Sequence, residues 1–502
     1  MDSGGKSQVN IPAGSEWRFE VDFSQELTIK VVSGVVEING TELPNNFDLK
    51  FKGVKLSIFC YQDSIIEYYG TFSSEYVSDE SVVPQYVALH FALQNFRNKA
   101  ATNNNLNAPR VLVIGGKDSG KTTLSKVLVS YAVKMDSFPM VVNLDPQEGV
   151  YTMPGALSAT VVNDVLDVEQ GWGQSILSGA SAFHPTQPAV TYYGYDHINS
   201  NPSYYRYNIQ KLASVVDKRL ENDEMVRQTG VIIDTPALTN KDSSLIEEIV
   251  EAFSVNLIIV LGNERLFIDL KKTFSEKIYE SLDGQKQFFN VLKFSKSGGC
   301  VDKDDAFIRA RQQSLIKQYF YGDRKQVLSP YTITSIDYSR LSVYRIVESN
   351  KVNTTSATDN SENLDASSVL PIGMDAEEKA LLEELEQSKA DAAVMSASTV
   401  KKEQEKEEVP ISEAPAEPEA IVTDGELIEK LEPESSSLQN AVIAFVHADI
   451  DEPMTKVLDS GVLCFGYISD ANDLKKKLSV LLPVQGNLPN KTIVFGGFRY
   501  VD

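Results

Sequence analysis

The chain is poor in the residues that build metal centres and disulfides, with three cysteines and four histidines in 502 residues. Cys60, Cys300 and Cys464 stand far apart, in or beside apolar runs, and their spacing gives neither a zinc site nor a disulfide framework. Thiols used in this way fit a reducing compartment. His90, His184, His197 and His447 are as scattered, which reads as core and surface positions rather than ligands. Long apolar runs are missing too: none nears the ~20 residues that cross a bilayer. The first residues, Met1-Asp2-Ser3-Gly4-Gly5-Lys6, lack the apolar centre of a signal peptide. The expectation is a soluble intracellular protein with no membrane partner. Positive charge is also in deficit. The net charge of −23 speaks against free nucleic-acid binding. The deficit is uneven, because residues 375–434 hold 19 acidic residues and 6 lysines, a net of −13. The other 442 residues share −10, which leaves room for a local basic channel.

A second absence divides the chain. Between Asn350 and Gln439 there is no aromatic residue, and Ser, Thr, Asn, Glu, Ala and Pro dominate. Such a segment cannot bury enough apolar area to offset its ordering entropy, so a mostly disordered insertion is expected at about 350–438. Ala380-Leu381-Leu382 and Leu385 mark one face of a short helix inside it, over Asp375 to Lys389. At ~100–200 residues per domain the remainder makes about three units. Residues 1–98 read as a small β-sandwich, with period-two alternation in Glu16–Phe23, Leu27–Val32, Lys55–Phe59 and Ile65–Tyr69. A helix from Pro84 to about Lys99 and the polar connector Asn103–Asn107 lead into a middle domain at 99–345. There the buried strands Met140–Asp145, Val231–Thr235 and Asn256–Gly262 alternate with helices, which implies a mainly parallel sheet covered on both faces. Strand patterns return at Ala441–Val446, Val462–Tyr467, Leu478–Leu482 and Ile493–Phe498. They give a C-terminal β-domain over 346–502 that carries the insertion near its start. The fold class is an α/β P-loop domain flanked by two small β-domains.

What the chain does have is Gly115-Gly116-Lys117-Asp118-Ser119-Gly120-Lys121-Thr122-Thr123, a complete phosphate loop. Arg110-Val111-Leu112-Val113-Ile114 enters it as a buried strand, and Leu124 to Ala132 leaves it with helical apolar spacing. Glycines allow backbone N–H groups to turn inward around phosphate oxygens, and the helix adds its positive end. Lys121 is expected to span the β- and γ-phosphates, and Thr122 to offer a hydroxyl to Mg²⁺. The chain therefore binds a nucleoside triphosphate. Asp234 ends the run Val-Ile-Ile-Asp, the type of strand end that holds Mg²⁺; its other reading is a cap on the next helix through Thr235-Pro236. Asp145 ends the strand beside the loop. It reads either as a base near the γ-phosphate or as the start of a loop before Pro146.

Asn143-Leu144-Asp145-Pro146-Gln147 and Thr152-Met153-Pro154-Gly155 resemble the polynucleotide 5′-hydroxyl kinase family, most of all the fungal Clp subunits of the mRNA cleavage and polyadenylation factor. Further likenesses are Trp172-Gly173-Gln174-Ser175, Lys296-Ser297-Gly298-Gly299 and Tyr319-Phe320-Tyr321-Gly322. Glu37 to Leu43 and Leu370-Pro371-Ile372-Gly373 look like the family as well, and the latter suggests an ordered island. The resemblance implies three domains, with the N-terminal one over the nucleotide base. Glu16 and Lys55 would then contact the adenosine of ATP. Asp118, Ser119, Gly120, Lys121, Thr122 and Thr123 would hold the phosphates. Asp145 would be the general base for an RNA 5′-hydroxyl. The implied setting is the nucleus, and the implied partner is a scaffold subunit of the factor, with pre-mRNA met weakly or indirectly.

Active members of that family carry a Thr-x-Gly-Trp clamp after the Asp234-type strand and an arginine-rich lid before Tyr-Phe-Tyr-Gly. This chain reads Asp234-Thr235-Pro236-Ala237-Leu238 at the first place and Arg309-Ala310-Arg311-Gln312-Gln313 at the second. Asp145-Pro146-Gln147 also lacks the glycine found in active kinases. Aromatic stacking is worth ~1–3 kcal/mol per base, and a transition-state arginine ~10³–10⁵ in rate. The leading expectation is thus a structural subunit that holds ATP with little or no kinase activity. The alternative is a working 5′-hydroxyl kinase with Asp145 as base, Lys121 on the phosphates and Arg309 or Arg311 as lid. A third reading is a nucleotide-driven switch suggested by Asp234-Thr235-Pro236.

Overall fold

The computed structural model describes residues 6–102, 108–169, 188–274, 278–280, 286–349 and 427–500. The connector at 103–107, the element at 172–175, His184, the island at 370–373, the helix expected at 375–389 and nearly all of the acidic insertion lie outside the described residues.

The N-terminal part is a β-sandwich. One sheet has four strands in the order Ser7–Ile11, Ser64–Gly70, Leu27–Ser33, Asp48–Phe51. The other orders Thr41–Glu42, Val36–Ile38, Val54–Cys60, Glu16–Val21 and Ser74–Ser78. Alternate side chains meet between them, with Trp17, Phe19, Val21, Leu27, Ile29 and Phe51 all buried in one cluster.

Helix Val83–Thr102 follows and continues past the boundary expected at residue 98. Its Tyr86, Leu89 and Leu93 belong to the core of the middle domain, beside Leu124 and Leu128 of helix Lys121–Lys134. The helix is therefore part of the middle domain's packing as well as its connector.

The middle sheet has seven strands. Five are parallel, in the order Met140–Asn143, Val231–Asp234, Arg110–Gly115, Leu257–Leu261 and Asn290–Phe294. Ala156–Val161 and Ala189–Tyr192 extend it antiparallel. The strand ahead of the phosphate loop sits inside the sheet, with Val111 to Ile114 completely buried. Helices on both faces explain its unbroken apolar sequence.

The C-terminal sheet also has seven strands, and it starts earlier than expected. Tyr331–Asp337 and Val343–Ile346 precede the insertion yet belong to this sheet. At its other end Ile428–Leu431 pairs antiparallel with Val343–Ile346, although the sequence reading left 428–431 inside the insertion. That strand is short, lies in acidic surroundings and pairs with a segment far back along the chain, so local pattern could not reveal it. The sheet docks on the middle domain through hydroxyls and close backbones. Tyr195 donates to the Ile346 carbonyl at 2.7 Å, and the Gly497 N–H to the Gly194 carbonyl at 2.8 Å. A side chain on Gly496 would start 2.3 Å from the Gly194 carbonyl oxygen, so this junction requires glycine.

Candidate nucleotide site

The phosphate loop owes its shape to local geometry. Asp118 and Gly120 take positive φ, +51° and +92°, which turns successive peptide N–H groups inward. A Cβ on Gly115 would lie 2.6 Å from Ser119 Oγ and 2.8 Å from the Leu261 carbonyl. Ser119 Oγ and Lys121 Nζ both donate to the Gly116 carbonyl, at 2.9 and 2.8 Å. Gly120 is the N-cap of helix Lys121–Lys134 and has no side chain to satisfy the first N–H groups, which are thus available to an anion.

Thr122 Oγ1 donates to Asp234 Oδ2 at 2.6 Å. The other carboxylate oxygen, Oδ1, is buried without a hydrogen-bond partner. Burial pushes the Asp234 carboxyl up to about 7, against the Thr122 hydrogen bond and the Lys121 charge. A buried carboxylate with one unsatisfied oxygen beside a phosphate-loop threonine fits a Mg²⁺ that uses few protein ligands. Capping goes elsewhere: Thr239 caps the following turn, and Thr235 Oγ1 donates to the Val113 carbonyl at 2.9 Å.

Asp145 lines the same cavity, and its Oδ1 accepts the Gln147 N–H at 2.9 Å. Asn143 stiffens this turn, donating to the carbonyls of Asp145 and Glu148 at 3.1 and 2.8 Å. Burial raises Asp145 to about 6, with the Glu148 charge adding and Lys121 and Lys303 opposing. The loop-forming and site-facing readings of Asp145 therefore coexist in one residue.

The cavity, about 230 Å³, runs from the phosphate loop to the N-terminal sheet. Glu16 and Lys55 line it, as do Asp118, Ser119, Gly120, Lys121, Thr122 and Thr123. Glu16 Oε2 accepts from Arg18 Nε at 2.8 Å and Ser57 Oγ at 3.2 Å, while Ser81 bonds Oε1. Lys55 Nζ lies 3.0 Å from Glu20 and 5.2 Å from the centre of the Phe307 ring. Tyr131, on the helix that begins at the loop, donates to Glu37 of the sandwich. That contact ties the loop's helix to the N-terminal sheet.

Several lining residues went unassigned at the level of sequence: Arg18, Tyr76, Tyr86, Glu148, Cys300 and Lys303. The last two lie on a strap, residues 296–304, that covers the phosphate loop. Cys300 Sγ would stand 3.2 Å from a Cβ on Gly120, and the Lys303 N–H donates to Asp118 Oδ2 at 3.0 Å. The motif Lys296-Ser297-Gly298-Gly299 was the available signal. Gly299 packs so closely on Arg18 that a Cβ would lie 2.7 Å from its Nε.

The segments at the expected clamp and lid positions differ in what their side chains do. Leu238 is wholly buried in the core, and Ala237 alone faces the cavity there. On helix Asp305–Tyr321, Arg309 is exposed, whereas Gln312 donates to the Gln147 carbonyl at 3.4 Å and Arg311 lies in the field of Glu148.

Comparison with known proteins agrees along the whole chain. A model of the mRNA cleavage and polyadenylation factor CLP1 P-loop matches residues 115–322. The N-terminal beta-sandwich domain of polyadenylation factor matches 10–100, and pre-mRNA cleavage complex II protein Clp1 matches 328–502. The mRNA cleavage and polyadenylation factor CLP1 of Debaryomyces hansenii is 37% identical, over 99% of this chain and 95% of that protein. Its counterpart in Scheffersomyces stipitis is also 37% identical, over 98% and 94%. The structure of a wild-type Clp1p–Pcf11p complex superposes with a TM-score of 0.77 at 28% identity, over 100% of this chain and 99% of that one. A second structure, also at a TM-score of 0.77, with 29% identity and full coverage of both chains, concerns an extended Pcf11p–Clp1p interface and the basis of ATP loss in a glycine-to-arginine mutant.

Proposed function

This chain belongs to the CLP1 family of mRNA cleavage and polyadenylation factors, and from that premise we propose that it is the factor's ATP-holding structural subunit. It supports the cleavage step of pre-mRNA 3′-end formation in the nucleus, with little or no kinase activity. Its direct partner is a scaffold subunit of the Pcf11 type, and pre-mRNA is met weakly or through that partner. ATP lies with its phosphates on residues 118–123 and its adenosine against Glu16 and Lys55, while Thr122 and Asp234 hold Mg²⁺. Mg²⁺ would offset the phosphate charge. The protein's own groups do the rest, with Lys121 neutralising, the loop N–H groups orienting, and the strap at 296–304 excluding water.

The observation that carries this reading is the contrast between a complete cradle and the residues beside it. After Asp234 come Ala237, which lines the cavity, and Leu238, which is buried, where the resemblance to 5′-hydroxyl kinases would put a Gly-Trp clamp. Bound ATP then acts as a ligand selective for the assembled N-terminal and middle domains, which stabilises that assembly. The test is phosphorylation of a 5′-hydroxyl oligoribonucleotide by purified full-length protein that carries ATP. Transfer at ordinary kinase rates would overturn the proposal.

One observation favours the second reading, an active 5′-hydroxyl kinase. Asp145 faces the cavity with its carboxyl raised to about 6, close to what a base working near neutral pH needs. On that reading Asp145 takes the proton of the attacking hydroxyl. Asp145→Asn would abolish transfer, and transfer unchanged by it would remove the reading.

A further inference from the structure

Residues 296–304, between strand Asn290–Phe294 and helix Asp305–Tyr321, are neither strand nor helix. Groups on other elements hold this strap in place, and they grip it at two ends. At the phosphate-loop end the Lys303 N–H donates to Asp118 Oδ2 at 3.0 Å, and the Lys303 ammonium pairs with Glu148 beside the Asp145 turn. A carboxylate in a triphosphate cradle works against the charge of its ligand. The bond to the strap gives the Asp118 carboxylate a role there. Cys300 packs over Gly120 of the same loop.

At the sandwich end Gly299 lies against Arg18, where a Cβ would stand 2.7 Å from Nε and 3.0 Å from Cζ. Arg18 has little room to yield, because Glu16 Oε2 and the Glu80 carbonyl each accept from its guanidinium at 2.8 Å. Lys55 Nζ adds a longer bond to the Asp302 carbonyl, at 3.4 Å. The strap therefore bridges the two walls of the cavity, and its Ser297, Gly299, Cys300 and Lys303 face the space between them. Each of these ties joins protein to protein. They hold the strap with or without a nucleotide.

We propose that the strap is the gate through which ATP enters and leaves, and that Glu148 and Gly299 are positioning residues that keep it shut. Glu148 acts through Lys303, and Gly299 through Arg18. Release of ATP then waits on lifting of the strap as well as on loss of the phosphate contacts. A segment tied down by a few contacts opens at a free energy well below that of global unfolding, so the gate moves while the domains stay folded. The inference rests on the proposed ATP site and makes that site slow in both directions, which suits a nucleotide that is retained. A lysine at position 303 could also serve the phosphates itself, with Glu148 holding it back. Freed by Glu148→Gln, it would then grip ATP and slow its release. With Lys303 as the anchor of the strap, the same substitution unties the strap and release quickens.

The test loads full-length protein with radiolabelled ATP and Mg²⁺ and chases it with excess unlabelled ATP. Uptake of labelled ATP is followed separately on protein that has been emptied. Glu148→Gln should speed release about 10-fold or more, as loss of one charge-assisted hydrogen bond would. Uptake should quicken by a similar factor, so that Kd moves by less than about 3-fold. Gly299→Ala wedges the other end against Arg18 and should do the same with the Lys303 pair intact. It carries the test if Glu148→Gln fails to fold, which melting curves of the emptied proteins report. Release that is unchanged or slowed in either folded variant overturns the proposal. So does faster release with unchanged uptake, which is lost affinity and no gate. A wild-type chain that takes up no ATP overturns the ATP site as well, whereas one that takes it up beside variants that release it no faster overturns the gate alone.

Discussion

Thr122 and Asp234, far apart in sequence, meet through a 2.6 Å hydrogen bond that leaves the second Asp234 oxygen buried and unsatisfied. The pairing joins the phosphate loop to the end of the neighbouring parallel strand. With both groups on one cation, Asp234→Asn should weaken the Mg²⁺ dependence of nucleotide retention. Dialysis with and without a chelator, followed by nucleotide analysis, checks this. Wild-type protein should lose ATP faster in chelator, and the variant should lose it at the same rate in both.

Lys121 donates to the loop's own Gly116 carbonyl, poised at the mouth of the cradle. Lys121→Ala should empty the site without disturbing the core. A ligand held at 100 to 1,000 times its Kd contributes about 2.7–4.1 kcal/mol to stability. The variant's Tm should therefore fall by about 5–15 °C, and added ATP should restore little of it. Scanning calorimetry at several ATP concentrations gives the comparison.

The Glu16–Arg18 pair is buried between the N-terminal sheet and the strap. Removing one member leaves a buried charge behind, at about 3–5 kcal/mol. Arg18→Met should be destabilising on that scale and should reduce ATP content, because Glu16 lines the cavity. Glu16→Gln combined with Arg18→Met should recover part of the stability, as read by denaturant titration.

His90 lies on the helix between the sandwich and the middle domain, buried, with Nδ1 lacking a partner. Burial, with the Arg97 charge adding, lowers its pKa to about 4. The sign follows from linkage. The unfolded imidazole binds its proton near pH 6.5 and the folded one only near 4, so stability is full above 6.5 and declines as pH falls through this window. The loss reaches about 3 kcal/mol at the lower end. His90→Gln should flatten this part of the stability–pH curve, whatever it does to stability at pH 7.5. Urea midpoints at pH 7.5, 6 and 5 measure it.

Legibility followed distance along the chain. The phosphate loop is written in nine consecutive residues, and its flanking strand and helix have periods that a short window reveals. The flat apolar runs at Val231 and Leu257 were equally plain. By contrast, Asn290–Phe294 and Ala156–Val161 interleave polar with apolar residues, and their places in the sheet come from neighbours rather than from a pattern of their own. The strand Ile428–Leu431 was hidden for the same reason. In the site, residues that act by spacing were visible, and those that act by convergence were not. Arg18 and Glu16 alternate onto one strand face, which a reader could have noticed. Glu148 and Lys303 meet only once the sheet and the strap are assembled.

The most direct test follows the terminal phosphate of bound ATP. Full-length protein would be loaded with γ-labelled ATP and Mg²⁺, freed of excess, and mixed with a large excess of 5′-hydroxyl oligoribonucleotide. The account predicts close to one label per chain, still on protein-bound ATP over many minutes. Label appearing on the RNA within seconds, or a protein that takes up no ATP at all, would contradict it.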